Sequence, residues 1–191
     1  MIYKGIVELS GLHHEVQMNK GMIGKGDFCI MSILDVIQSR RTVKKFKADS
    51  IERGQYTKWL EAASYAPNHR MTEPWEILII GPETREKLNH KTNFGGAPVV
   101  FAVTSKKGDN EIVREENIAA TSCFIQNFML AAWSEGVGTF WSSIATSQIK
   151  REILQVSSDY DIVGVLAIGY PEEIPEVKPR TAIESKIKEL N

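Results

Sequence analysis

A mixed domain of helices and strands follows from three features of the sequence. Apolar runs of strand character occupy residues 75–80, 99–103 and 162–170. Segments with helical spacing separate them. No G-x-G-x-x-G follows an early strand, which removes the common dinucleotide-binding arrangement.

Each element has a local reason. Ser32 is an N-cap for a helix ending at Ser39, with Ile33, Leu34 and Ile37 at helical spacing. Residues 40–47 are a basic turn or extended segment. A second helix is predicted over 50–66, with Trp59, Leu60, Ala62 and Ala63 inward, stopped by Pro67. Gly81-Pro82 ends the first strand and a short polar helix covers about 83–90. Gly95-Gly96-Ala97-Pro98 leads into the second strand, and 105–111 is a polar loop. The longest helix, about 114–135, is apolar on more than one side and therefore central. Cys123 within it reads as a core thiol. Gly136 and Gly138 bracket its end, Thr139-Phe140-Trp141 is short and extended, and 147–155 is helical. Pro171, Pro175 and Pro179 punctuate an extended tail, after which 182–190 has helical composition.

The chain of 191 residues is long enough for one domain with a hydrophobic core. The net charge of −1 gives no global basic field for nucleic acid, although a local cluster can still hold a phosphate. No apolar run reaches the length of a membrane helix, and no signal-peptide pattern opens the chain. Cys29 and Cys123 form neither a CxxC pair nor a disulfide framework. The expected location is cytoplasmic. Residues 1–30 are glycine-rich and form an N-terminal extension of unclear role, either loosely packed or an arm; the domain is 31–191. His13-His14 lacks a third metal ligand nearby, and no metal site is expected.

Four stretches could carry chemistry. Arg40-Arg41-Thr42-Val43-Lys44 offers guanidinium forks, a hydroxyl and an ammonium to a phosphate, with Val43 buried and its neighbours fanned outward. Asn68-His69-Arg70 lies at a helix-to-strand junction, where ligand contacts often sit. In residues 138–143, Phe140 or Trp141 could cover a planar ring, with Ser142 beside them. Lys178-Pro179-Arg180 is a rigid basic pair. Each has a plain alternative: a solvated turn, a helix stop, core packing and a solubilising tail. Trp75 reads as core. No serine- or metal-hydrolase signature is present.

Together, in this order, the four stretches resemble the FMN-dependent nitroreductase family, in particular its small members of the YdjA-like type. Arg40-Arg41-Thr42-Val43-Lys44-Lys45-Phe46 looks like the opening R-R-[ST]-x-[RK]-x-[FY] motif. Ala66-Pro67-Asn68-His69 with Pro74-Trp75, the segment from Gly136 to Ser142, and Gly169-Tyr170-Pro171 followed by Lys178-Pro179-Arg180 look like the later ones. The resemblance implies an α+β fold with a central, mostly antiparallel sheet flanked by helices, in an intertwined homodimer with FMN at the interface. It implies that Arg40, Arg41, Thr42, Lys44, Lys178 and Arg180 face the phosphate and ribityl chain. Asn68, His69 and Arg70 would border the flavin, and Phe140, Trp141 and Ser142 would approach it from the central helix. The implied activity is ping-pong electron transfer from NADH or NADPH to nitroaromatic, quinone or similar acceptors, with the chemistry carried by the cofactor and no catalytic side chain named. A non-catalytic flavin-binding or storage protein is the alternative. Lys44 stands where many members carry Arg, which keeps the charge and loses the bidentate fork. Glu73 precedes Pro74-Trp75 where small members often carry a polar or basic residue, which leaves the choice of donor open.

Overall fold

The computed structural model describes residues 32–190. Extension 1–30, with His13, His14 and Cys29, lies outside the described residues. The elements run α1 (Ile33–Ser39), α2 (Arg53–Ala63), β1 (Trp75–Ile79), α3 (Pro82–Leu88), β2 (Val99–Lys106), α4 (Glu111–Ser134), β3 (Gly138–Ser142), α5 (Gln148–Ile153) and β4 (Tyr160–Gly169). All four strands are antiparallel, in the order β1-β2-β4-β3. This is the expected α+β arrangement.

The two faces of the sheet carry separate cores, because successive side chains of a strand point to opposite sides. Phe101, Val103, Leu166 and Ile168 face α2 and α4, and meet Trp59, Phe124, Ile125 and Phe128. Val100, Ala102, Val165 and Ala167 face the other way, toward Val36, Val43, Leu88 and Phe94. Trp75 stacks on Phe124 with ring centroids 4.9 Å apart, so it is a core residue as expected. Among the described residues, no helix is long and apolar enough to cross a membrane.

Several elements differ from expectation. Helix α2 is shorter at both ends: Glu52 and Gln55 close a capping box at its start, and Ala62 is exposed. Strand β2 runs on to Lys106, because Ser105 and Lys106 still pair with Asp161 and Tyr160. Helix α4 begins at Glu111, where the Asn110 side chain accepts from the Val113 amide. Helix α5 is confined to Gln148–Ile153. The predicted C-terminal helix is reduced to one 3-10 turn at Ile183–Lys186. Every residue from Glu172 to Leu190 is exposed, so no surface of the same chain supports a longer helix there.

Cys123 is a further correction. It is exposed on the outer face of α4 and is not a core thiol. The helix buries Ala120, Thr121, Phe124, Ile125 and Phe128 against its own domain. Its outer face around Cys123, with Ala119, Ser122, Gln126 and Asn127, is uncharged and is left open or half-open by the described chain. The apolar positions of α1 behave likewise: Val36 is buried, but Ile33, Leu34 and Ile37 are 65%, 63% and 50% exposed.

Candidate functional site

The basic segment after α1 is held from both ends. Ser32 is the expected N-cap, and with Asp35 it closes a capping box at the helix start. At its end the Trp133 indole donates to Ser39 Oγ at 2.9 Å. Arg41 Nη1 donates to the carbonyls of Gln38 and Arg40, at 2.8 and 2.9 Å, and so closes the helix C-terminus. The chain then runs extended between two strand ends. Thr42 bridges Thr139 in parallel, Val43 N donates to Thr139 O at 3.0 Å, and Lys47 N donates to Tyr170 O at 2.8 Å. Val43 is 1% exposed, and Thr42 and Lys44 on either side of it are exposed, as the alternation predicts.

This threading brings three of the four predicted stretches together. Arg180 lies close enough to repel both Arg40 and Arg41. Burial, then Arg41, then Arg180 push the Arg40 guanidinium below its ordinary range, and burial and Arg180 do the same to Arg41. Both remain cations, since a guanidinium is not deprotonated in proteins. Among the described residues, no carboxylate forms an ion pair with any of the three. Arg180 Nη1 donates only weakly, to the Lys178 carbonyl at 3.4 Å, and Lys178 itself is exposed. Lys44 Nζ stands 6.0 Å from the Phe140 ring centroid, at the outer limit of a cation–π contact.

Strand alternation separates the residues of β3. Phe140 packs with Val43 and Ala167 on the side of Lys44. Trp141 lies on the opposite face against Gly164, its Nε1 donating to Val163 O at 3.3 Å, and is 37% exposed. Ser142 is buried and its hydroxyl accepts from the Ile144 amide.

The fourth stretch lies elsewhere. Asn68 and its neighbours lead into β1, at the far edge of the sheet from β3. Three gaps of about 4.8 Å put those edges about 14 Å apart. Trp75 is also at the opposite end of the strands: it pairs with Ser105, which pairs with Asp161, whereas Thr139 pairs with Ile168. The Asn68 side chain builds its own turn, accepting from the Glu73 amide at 3.0 Å and donating to Ala66 O at 3.1 Å. His69 and Arg70 are exposed, and Arg70, Met71 and Glu73 have positive φ of 53°, 55° and 44°. Such strain persists where surroundings hold it and is common in ligand-binding turns. The exposed Tyr65 and Met71 flank it.

The loop from His90 to Gly96 was not singled out in the sequence. Its glycines read only as a lead into β2. In the structure, Gly95 O accepts from Phe46 N at 3.0 Å, and Gly95 has φ of 68° at a place where a Cβ would overlap the Lys44 carbonyl. A Gly95→Ala protein is therefore expected to lose about 2 kcal/mol or more, from left-handed backbone and displacement of Lys44. Urea unfolding measures the loss.

Among the described residues, no three His, Cys, Asp or Glu are grouped as metal ligands.

The chain has relatives of known sequence and of known structure. The model of the Nitroreductase family matches residues 37–92 and 82–170. YfhC of Bacillus subtilis, which carries the provisional name NAD(P)H nitroreductase, is 34% identical over 180 residues, spanning 82% of this chain and 93% of that one. A nitroreductase-like family protein from Bacillus cereus superposes with a TM-score of 0.79 at 31% identity, over 86% of this chain and 99% of the other. The NADPH:FMN oxidoreductase of Vibrio harveyi, solved with NAD+, shares the fold with a TM-score of 0.76 at 20% identity, over 83% and 77% of the two chains.

Proposed function

We propose, from the premise that this chain belongs to the nitroreductase family, that it is an FMN-dependent oxidoreductase working as a homodimer. The observation that carries the reading is the convergence of Arg40, Arg41 and Arg180 without a carboxylate among the described residues. Mutually repelling cations held together in a fold are balanced by an anion, and guanidinium forks beside the exposed Thr42 hydroxyl fit a phosphate. Lys44 and Lys178 add point charges at its margin. Phe140 offers a ring edge on the same side.

A second chain is part of this reading. Asn68, His69 and Arg70 stand at the opposite corner of the sheet, so a flavin bordered by both stretches needs them from different subunits. The exposed Ile33, Leu34 and Ile37 and the tail with Ile174, Val177, Ile183, Ile187 and Leu190 supply apolar surface for such an intertwined pair, beside the uncharged outer face of α4. Trp141, with Ser142 behind it, would lie near the subunit boundary.

Bound FMN would accept hydride from NADH or NADPH and return electrons to a nitroaromatic, quinone or similar acceptor, the two substrates taking turns in one slot. The protein's share is to hold the phosphate, orient the ring and place positive charge beside it. No side chain is asked to act as nucleophile or obligatory acid. Freshly purified protein is expected to be yellow, with flavin absorption bands that bleach on adding NADH or NADPH and recover with an acceptor. Colour without turnover by either nicotinamide would favour flavin storage. Colourless protein that takes up no added FMN would overturn both.

A further inference from the structure

We infer that His90 is a positioning residue: its neutral imidazole pins the left-handed loop that holds Lys44 and Phe140 in place. The inference rests on the flavin reading only for what that loop serves.

Nδ1 of His90 accepts from the Phe94 amide at 3.1 Å and the Thr92 amide at 3.3 Å, with Thr92 Oγ1 also at 3.3 Å. A backbone N–H can only donate, so Nδ1 must be the bare nitrogen and the ring proton sits on Nε2. The same ring stacks on Phe94 at 4.3 Å and meets Phe140 edge-on at 5.7 Å. The pinned loop is strained: Asn93 and Phe94 have φ of 43° and 54°, and Gly95 and Gly96 follow at 68° and 74°. A side chain that fastens two amides of this run holds a conformation that the residues would not choose alone.

What the loop touches gives the pin its consequence. Gly95 O accepts Phe46 N and Gly95 abuts the Lys44 carbonyl. Phe140 meets His90 edge-on and has Lys44 Nζ 6.0 Å from its ring centroid. Releasing the loop would therefore move the Lys44 backbone and the Phe140 ring together.

Protonation is the natural way to release it, because a doubly protonated imidazole has no acceptor. The charged groups on the surrounding elements are Lys44, Lys45 and Lys47 of the basic segment, Lys91 of the loop, Glu83, Arg85, Glu86 and Lys87 of α3, and Lys150, Arg151 and Glu152 of α5; Arg85 donates to the Ala97 carbonyl just after the loop and Lys150 to the Leu88 carbonyl. None of them hydrogen-bonds the His90 ring among the described residues. Burial lowers the His90 pKa from its ordinary value of about 6.5. A lowered histidine pKa means that the folded form resists protonation more than the unfolded chain does. The pin is complete above the ordinary value and is lost as pH falls through the folded value.

The experiment compares full-length wild type with His90→Asn and His90→Phe by FMN titration from pH 7.5 down to 5. Asn keeps an acceptor near the Nδ1 position; Phe keeps the stack and leaves the amides without a partner. At pH 7.5, His90→Phe is expected to bind FMN at least about tenfold more weakly, or 1.4 kcal/mol, with His90→Asn within about threefold of wild type. The ratio of wild-type to His90→Asn affinity cancels the titration of the FMN phosphate itself, and should fall on acidification. His90→Phe binding like wild type, or a ratio that does not change with pH, would overturn the inference. Amide exchange at Phe94 gives a readout free of flavin. Wild type that takes up no FMN removes the flavin reading alone. The pin then stands if Phe94 protection drops on acidification in wild type but not in His90→Asn, and falls if the two proteins behave alike.

Discussion

Replacing Arg40 with alanine is expected to weaken FMN binding by more than about tenfold, or 1.4 kcal/mol, and Arg180→Ala should do the same. Both side chains belong to the cluster that converges without a carboxylate among the described residues. Arg41 is a poorer target, because its guanidinium also closes α1 through the carbonyls of Gln38 and Arg40. The double variant should lose less than the sum of the two losses, since both arginines are proposed to share one anion. The sign of the effect on the flavin-free protein differs. Burial and the neighbouring guanidiniums press Arg40 below its ordinary pKa, so its charge opposes folding in the absence of an anion. Flavin-free Arg40→Ala should therefore melt no lower than wild type, while the rise in Tm on adding FMN shrinks. Unchanged FMN titrations in both single variants would remove the phosphate assignment. A fall in flavin-free Tm would instead mark Arg40 as structural.

The parts of the fold that sequence reading reached are those governed by local rules. Ser32 caps α1 and Val43 is buried between outward neighbours because cap chemistry and strand alternation act within a few residues. The basic stretch and Arg180 were legible as candidates, but their convergence depends on Thr42 pairing with Thr139 and on Lys47 with Tyr170, which no local pattern announces. Alternation along β3 also splits Phe140 from Trp141, and a stretch read as one unit conceals that. His90 was invisible because its role follows from a left-handed loop whose φ values are set by tertiary contacts. The residues 182–190 had helical composition, yet a short helix without a packed face does not overcome its nucleation cost. Cys123 was misplaced because periodicity reports an apolar face without saying which chain covers it.

That last distinction yields the second large expected effect. Cys123→Arg should convert a dimer to monomer and abolish FMN retention through gel filtration, a loss of about a hundredfold or more in affinity, near 2.7 kcal/mol. Cys123 is exposed within the chain, so arginine there has room in the isolated fold and should leave its secondary structure and core intact. From Ile118 to Ser134 the sequence of α4 contains no charged residue, although one side of that stretch is open in the single chain. A solvated helix face of that length normally carries charge, and a stretch without it fits a subunit contact. An unpaired charge buried at such a contact costs several kcal/mol, and two-fold symmetry would bring the substitution in from both chains. If the flavin is bordered by Arg40 of one chain and Asn68 of the other, dissociation removes half of each site's wall. Sedimentation velocity gives the assembly state and flavin absorbance gives the occupancy. A monomeric variant that keeps its yellow colour would show that one chain suffices to hold FMN. A variant that remains dimeric would move the contact to another face, with the exposed tail around Ile183 and Ile187 as the next surface to charge.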